Sequence, residues 1–230
     1  MIPPRRPPLT VLTDGAADPA ACLALEEELL GRAAAGEALL LLWSSPRPAV
    51  ILGHGQPDSD VDPEACRELG LPVLRRITGG TGVIHDGDLA LSLALAADHP
   101  FARGIVGLYG RFLDVLAAVL AAHGAAVERP AVPPRASRRR SPICFEDRLA
   151  DTLLVNGRKA VGCAQARRAR SVLVHGAVLL HPDPALHARI FRVAETRVAA
   201  ALGPALPGAS APELFGPLAE AFAEALARRE

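Results

Sequence analysis

The chain predicts an α+β fold, a mixed and largely antiparallel sheet flanked by helices. Three observations lead there. Short aliphatic runs stand before, between and after helical patterns, which excludes a regular βαβ array. Asn156-Gly157 separates two of these runs, and that dipeptide suits the positive φ angles of a two-residue hairpin turn. A stretch near 103–123 keeps Tyr109, Phe112, Leu113, Leu116 and Leu120 on one face and stops at Gly124, as an amphipathic helix does.

The elements follow in order. Residues 9–14 read as a strand. Asp18-Pro19 then supplies a helix cap and a proline at the first helical position, ahead of Cys22, Leu25, Leu29 and Ala33 at helical spacing and a stop at Gly36. The aliphatic runs 38–43 and 48–53 are strands across a proline loop. A short helix over 63–69, a strand over 72–77, a glycine-rich turn and strands near 82–85 and 88–95 come next. Beyond the 103–123 helix, residues 129–142 are rich in proline and arginine and read as a loop. Strands near 150–156 and 158–165 flank the hairpin, and another covers 171–180. Short helices around 183–200 and 212–228 are separated by a Gly/Pro-rich linker over 203–217.

Composition bounds the function. The 230 residues fit a single domain over 1–230, with the proline-rich 1–8 as a disordered tail. Basic and acidic residues balance at 25 each, which argues against a chain built to coat nucleic acid or an anionic membrane. The N-terminus lacks the apolar stretch of a signal peptide, so a cytoplasmic location is expected. Cys22, Cys66, Cys144 and Cys163 form no C-x-x-C pair, which favours reduced thiols over a zinc site. No metal is expected, including at His85, Asp86 and Asp88.

One lysine, Lys159, stands against 24 arginines. An ammonium is compact, has rotatable donors and changes its pKa readily, none of which a guanidinium does. Cys144 follows the Arg/Pro loop and leads toward the strand before the hairpin, so the turn could fold Lys159 back beside it. A cation close to a thiol turns it into a nucleophilic thiolate near neutral pH. Cys22, Cys66 and Cys163 read as packing residues. His85 and His175 are alternative general bases. Gly79-Gly80-Thr81-Gly82 lets backbone approach a ligand, although it is neither a P-loop nor a dinucleotide fingerprint. Arg138-Arg139-Arg140 is a solvated cluster or a docking patch for an acidic partner.

Taken together, Arg75-Arg76-Ile77-Thr78-Gly79-Gly80-Thr81-Gly82-Val83-Ile84-His85-Asp86, Asn156 to Gln165, and His175 to Leu180 resemble the biotin/lipoate protein ligase superfamily, in its lipoate-protein ligase A and octanoyltransferase branch. Trp43 and Val50 to Gly53 fall where that family has its early strands. The resemblance implies a catalytic fold like that of class II aminoacyl-tRNA synthetases. It implies that Arg75, Arg76, Thr78, Gly79, Gly80, Thr81, Gly82, His85, Gly162, Ala164 and His175 line an acyl site. Lys159 would be the family's essential lysine, touching the acyl carbonyl.

Ile143-Cys144-Phe145-Glu146 looks like the motif of the cysteine-lysine transferases, which implies Cys144 and Lys159 as the catalytic pair. Such enzymes move octanoate from acyl carrier protein, through a cysteine thioester, to a lysine of a lipoyl domain or glycine cleavage H protein. They need no cofactor beyond the acyl-phosphopantetheine donor. A second transferase type places its cysteine at the position of Val172 and is disfavoured. ATP-dependent lipoate ligases, using ATP and Mg, usually carry a third glycine where Thr81 stands and an Asn where Asp88-Leu89 stand. That chemistry is the first alternative. A non-catalytic relative that binds acyl groups or carrier proteins is the second.

Overall fold

A computed structural model describes residues 7–130, 142–143 and 151–228. The expected tail over 1–8 therefore lies largely outside the described residues, as do most of the 129–142 loop, Arg138 to Arg140, and Cys144-Phe145-Glu146.

The strands are β1 (Leu9–Asp14), β2 (Ala38–Trp43), β3 (Ala49–Leu52), β4 (Val73–Arg75), β5 (Val83–His85), β6 (Leu89–Ala96), β7 (Val127–Glu128), β8 (Thr152–Val155), β9 (Arg158–Arg167) and β10 (Ser171–Val178). The helices are α1 (Pro19–Ala34), α2 (Pro63–Glu68), α3 (Ile105–Ala122), α4 (Pro184–Phe191), α5 (Glu195–Ala201) and α6 (Ala211–Ala227). Seven strands form one sheet in the order β1-β2-β6-β10-β9-β8-β7, and β4-β3-β5 form a second. Only β1–β2 and β3–β4 pair in parallel among the described strands. The expected mixed, largely antiparallel sheet is what the chain builds.

The large sheet is covered on both faces, which explains why β2 is six consecutive buried residues, Ala-Leu-Leu-Leu-Leu-Trp, with no polar alternation. Leu40 and Leu42 point toward α3 and α6, while Leu39, Leu41 and Trp43 point toward α1 and the small sheet. Gly176 lets Phe112 lie against β10, since a Cβ there would stand 3.0 Å from that ring. By length and composition α3 could cross a bilayer. Its Leu108, Phe112, Leu113, Leu116 and Leu120 are instead buried in the sheet–helix core, with Phe112 5.3 Å from Phe222 of α6.

Two boundaries differ from expectation. The linker expected over 203–217 ends at Ser210, where a capping box with Glu213 starts α6 and carries Pro212 into its first turn. Pro217 then lies inside that helix, in agreement with the helix expected over 212–228 and against the linker expected to 217. The region 183–200 holds two helices, broken after Phe191 by Arg192 in the left-handed conformation at φ 53°. The two-residue strand β7 was not expected at all.

Candidate active site

The hairpin is as expected: Asn156 (φ 51°) and Gly157 (φ 70°) take the positive angles of its turn. Immediately after it the register slips. Leu154 faces Lys159 and Leu153 faces Val161, so Ala160 is an extra residue on β9. This bulge determines where the lysine points. Leu153, Val155, Val161 and Cys163 all enter the core under α3 and α6. Lys159 shares the register position of Leu154, the residue between Leu153 and Val155, and so takes the opposite face. Thr152, Gly162, Ala164, His175 and Ala177 are on that face by register. Lys159 is only 2% exposed there. Its strand edge is held by Leu202, which bridges it, and by Gly203 N–H, which donates to the Lys159 carbonyl at 3.2 Å.

A narrow cavity of about 20 Å³ opens on this face. Its walls include Arg76, Val83, Gly162, Cys163, Ala164, His175 and Ala177. Gly162, Ala164 and Ala177 are small, which makes the slot slim and apolar. Deeper in, His175 Nδ1 lies 2.6 Å from Glu26 Oε1, and Ser92 Oγ donates to the same oxygen at 2.6 Å. The carboxylate keeps the proton of His175 on Nδ1, leaving Nε2 as the acceptor. His85 sits between Trp43 and His175, with ring centroids 5.5 and 6.3 Å away. Burial above all, then the neighbouring His175, Arg76 and His187, pushes His85 down to about 3, so its ring is neutral. Both His85 nitrogens, His175 Nε2, Trp43 Nε1, Thr78 Oγ1 and Glu26 Oε2 are buried without a hydrogen-bond partner among the described residues. So many unsatisfied polar atoms around one slot mark a site built for something other than packing.

The glycine loop is braced from two sides. Arg76 is 3% exposed and donates to the carbonyls of Gly79 at 2.8 Å and Thr81 at 3.0 Å. Arg75 instead clamps the neighbouring loop, donating to the carbonyls of Gly53 and Gln56 at 2.6 Å each and pairing with Asp58. Of the two arginines, only Arg76 reaches the cavity. Gly53 and Gly80 touch so closely that a Cβ on Gly53 would overlap the Gly80 carbonyl, and Gly80 has φ 95°. Gly82 leaves room for the ring of Phe191 and pairs as a bridge with Ile143. Gly82 N–H donates to the Pro142 carbonyl at 3.0 Å, and Gln56 Nε2 donates to the same oxygen at 2.9 Å. The residue preceding Cys144 in the chain is thus fully buried against the glycine loop.

Cys22 and Cys66 are buried, as expected, and burial pushes the Cys22 thiol up to about 11 and raises that of Cys66. Cys163 is buried too, but it also forms part of the cavity wall. Two contributors escaped the sequence reading. Glu26 carries a readable signal, a carboxylate four residues after Cys22 on the apolar stripe of α1. Gln56 carries none, because its role comes from a loop packing 86 residues away along the chain. Among the described residues no cluster of three or more His, Cys, Asp or Glu could hold a metal.

The described geometry matches solved structures across nearly the whole chain. A lipoate-protein ligase A solved bound with ATP superposes with TM-score 0.78, at 22% identity, over 96% of this chain and 86% of that one. A bi-partite lipoate protein ligase from Thermoplasma acidophilum, from a study with its E2 lipoyl domain, gives TM-score 0.75 at 20% identity, over 96% and 84%. The fold is that of the lipoate-protein ligases. Residues 18–206 match the lipoyl protein ligase A/B catalytic domain, and the chain belongs to that family. Relatives include the octanoyltransferase LipM of Anoxybacillus flavithermus, 30% identical over 202 residues, 81% of this chain and 70% of that protein. The octanoyltransferase LipM of Moorella thermoacetica is 34% identical over 176 residues, 74% of this chain. The matches span 64% and 61% of the Moorella thermoacetica and Carboxydothermus hydrogenoformans proteins.

Proposed function

We propose that this chain is an octanoyltransferase working in the cytoplasm. It takes a medium-chain acyl group from acyl carrier protein as a thioester on Cys144 and passes it to a lysine of a lipoyl domain or glycine cleavage H protein. The observation that carries the reading is the bulge at Ala160. It turns the chain's one lysine onto the face that holds the small-residue slot, while Ile143, next to Cys144 in sequence, is fixed to the glycine loop at Gly82. The octanoyltransferase relatives support the same chemistry.

The Lys159 ammonium stabilises the Cys144 thiolate, which attacks the thioester carbonyl. The carbon–sulfur bond to the donor breaks and the pantetheine thiolate leaves, taking from water a proton that the acceptor amine returns when it becomes an amide. The acceptor amine then attacks the acyl-enzyme, an amide bond forms, and Cys144 is regenerated. Arg76 holds the glycine loop in place, His175 lines the slot, and His85 packs beside His175 instead of moving protons. A base works best with a pKa near the working pH, and the value of about 3 for His85 is far from it. Burying a seven-carbon tail at roughly 0.8 kcal/mol per methylene contributes about 5 kcal/mol of preference for medium chains. No cofactor enters this scheme; ATP and Mg belong only to the ligase alternative.

Intact-mass measurement after incubation with octanoyl carrier protein, without ATP, tests the proposal. One octanoyl group should add to wild type and none to Cys144→Ala. Equal labelling of both would show that the nucleophile is another residue. Failure of both to label, together with pyrophosphate release from lipoate and ATP, would establish the ligase chemistry instead.

A further inference from the structure

A second cavity, of about 330 Å³, borders the glycine loop. Its walls are His54, Gly55, Gln56, Pro57, Asp60, Ile77, Gly79, Gly80 and Thr81. Arg76 joins the two spaces, since it lines the slot and donates to the carbonyls of Gly79 and Thr81 that border the cleft. Gln56, in the cleft wall, also binds the carbonyl of Pro142, two residues before Cys144 in sequence. The cleft thus borders the glycine loop, and its wall residue Gln56 is tied to Pro142, two residues before the proposed nucleophile in sequence.

We infer that this cleft seats the pantetheine arm of the thioester donor. The inference rests on the octanoyltransferase reading and deepens it. The wall chemistry selects the ligand. A nucleotide's phosphates call for cations. Here Arg75, the arginine beside the cleft, is committed to the carbonyls of Gly53, His54 and Gln56 and to Asp58. Asp60 adds a carboxylate to the wall, and its Oδ2 accepts from Gln56 at 3.0 Å. A pantetheine arm is neutral, with two amides and a branched hydrocarbon segment. Glycine backbone suits the amides, and Ile77 and Pro57 suit the hydrocarbon, while the Gln56 amide is taken up by Asp60, Pro142 and Gly53. The tail then enters the slot while the arm stays outside, with the thioester between them at the glycine loop.

Gly55 allows a clean test. It is exposed, its φ is not in the left-handed region, and a Cβ there meets nothing within 4 Å, so Gly55→Leu fills the cleft without straining the fold. Acylation kinetics are compared with two probes, octanoyl-pantetheine and octanoyl-N-acetylcysteamine, which keeps the thioester but lacks most of the arm. The expected result is a KM at least about 10-fold higher for octanoyl-pantetheine, with the short thioester within about 2-fold of wild type. His54→Trp, a bulky change at an exposed wall residue, should give the same split if Gly55→Leu folds poorly. Equal effects on both probes, or on neither, would overturn the inference and leave the transferase reading standing. Loss of ATP-dependent pyrophosphate exchange in Gly55→Leu, with thioester kinetics intact, would make the cleft a nucleotide seat and also overturn it. Failure of both probes to acylate wild type would overturn both readings.

Discussion

Glu26 is a fully buried carboxylate whose one oxygen, Oε1, accepts from Ser92 Oγ and faces His175 Nδ1, each at 2.6 Å. Glu26→Ala removes the acceptor and leaves both donors in a site closed to water. Each orphaned buried donor costs about 1–3 kcal/mol, so the pair amounts to about 2–6 kcal/mol before any relaxation. For a chain of this size each kcal/mol moves the melting temperature by about 2–4 °C, which places the variant about 4–24 °C below wild type. Glu26→Gln keeps one oxygen for one of the two donors and turns its amide toward the other, and should lose about 1–2 kcal/mol. Thermal unfolding followed by circular dichroism, with urea denaturation as a second probe, measures both. A loss under about 1 kcal/mol for Glu26→Ala would refute the claim that this carboxylate holds His175 and Ser92 in place.

Other expectations follow from the same geometry. Gly162→Ala puts a methyl group into a slot of about 20 Å³, so transfer of an octanoyl thioester should fall further than that of a hexanoyl thioester; an unchanged ratio would remove Gly162 from the wall. Gly157 sits at φ 70° with open space around it, so Gly157→Ala should cost about 1 kcal/mol from backbone strain alone, with turnover falling as the hairpin before Lys159 shifts. Burial pushes Asp88 up to about 7 despite its bonds from the Leu180 and His181 amides, so the folded chain keeps a proton that the unfolded chain has lost above about pH 4. That contribution is complete below the unfolded value and is lost as pH rises to about 7. His85 acts the opposite way, its contribution being lost as pH falls from about 6.5 toward 3. Asp88→Asn should therefore make stability rise more steeply between about pH 4 and 7, and a curve parallel to wild type would contradict the burial argument.

The sequence made local structure legible wherever a signal was local. Asp18-Pro19 starting α1, Asn156-Gly157 turning the hairpin and the six-residue run of β2 each declare themselves within a few residues. At the other end of the chain the helix expected over 212–228 forms as α6, while the linker expected to run to 217 stops at Ser210, where the capping box starts the helix. The candidate site was partly legible. Arg76, His175, Gly162 and Ala164 do come together around one slot. Arg75 carries the same side chain as Arg76 but turns to the 53–58 loop, a distinction that only the pairing of β3 with β4 produces. The bulge at Ala160 has no sequence mark either, because it shows only in how β8 and β9 pair. Glu26 shows how a polar residue on an apolar helix stripe can signal a buried partner, here a histidine 149 residues away.

The central claim is that the Lys159 ammonium keeps Cys144 ionised, and the pH dependence of Cys144 alkylation tests it most directly. Iodoacetamide modification of that one cysteine, followed by mass spectrometry from pH 5 to 10, gives its ionisation midpoint in wild type and in Lys159→Met. The account predicts a wild-type midpoint below the ordinary thiol value of about 8.5, and a midpoint about 1–3 pH units higher once the ammonium is gone. Superimposable curves would contradict it.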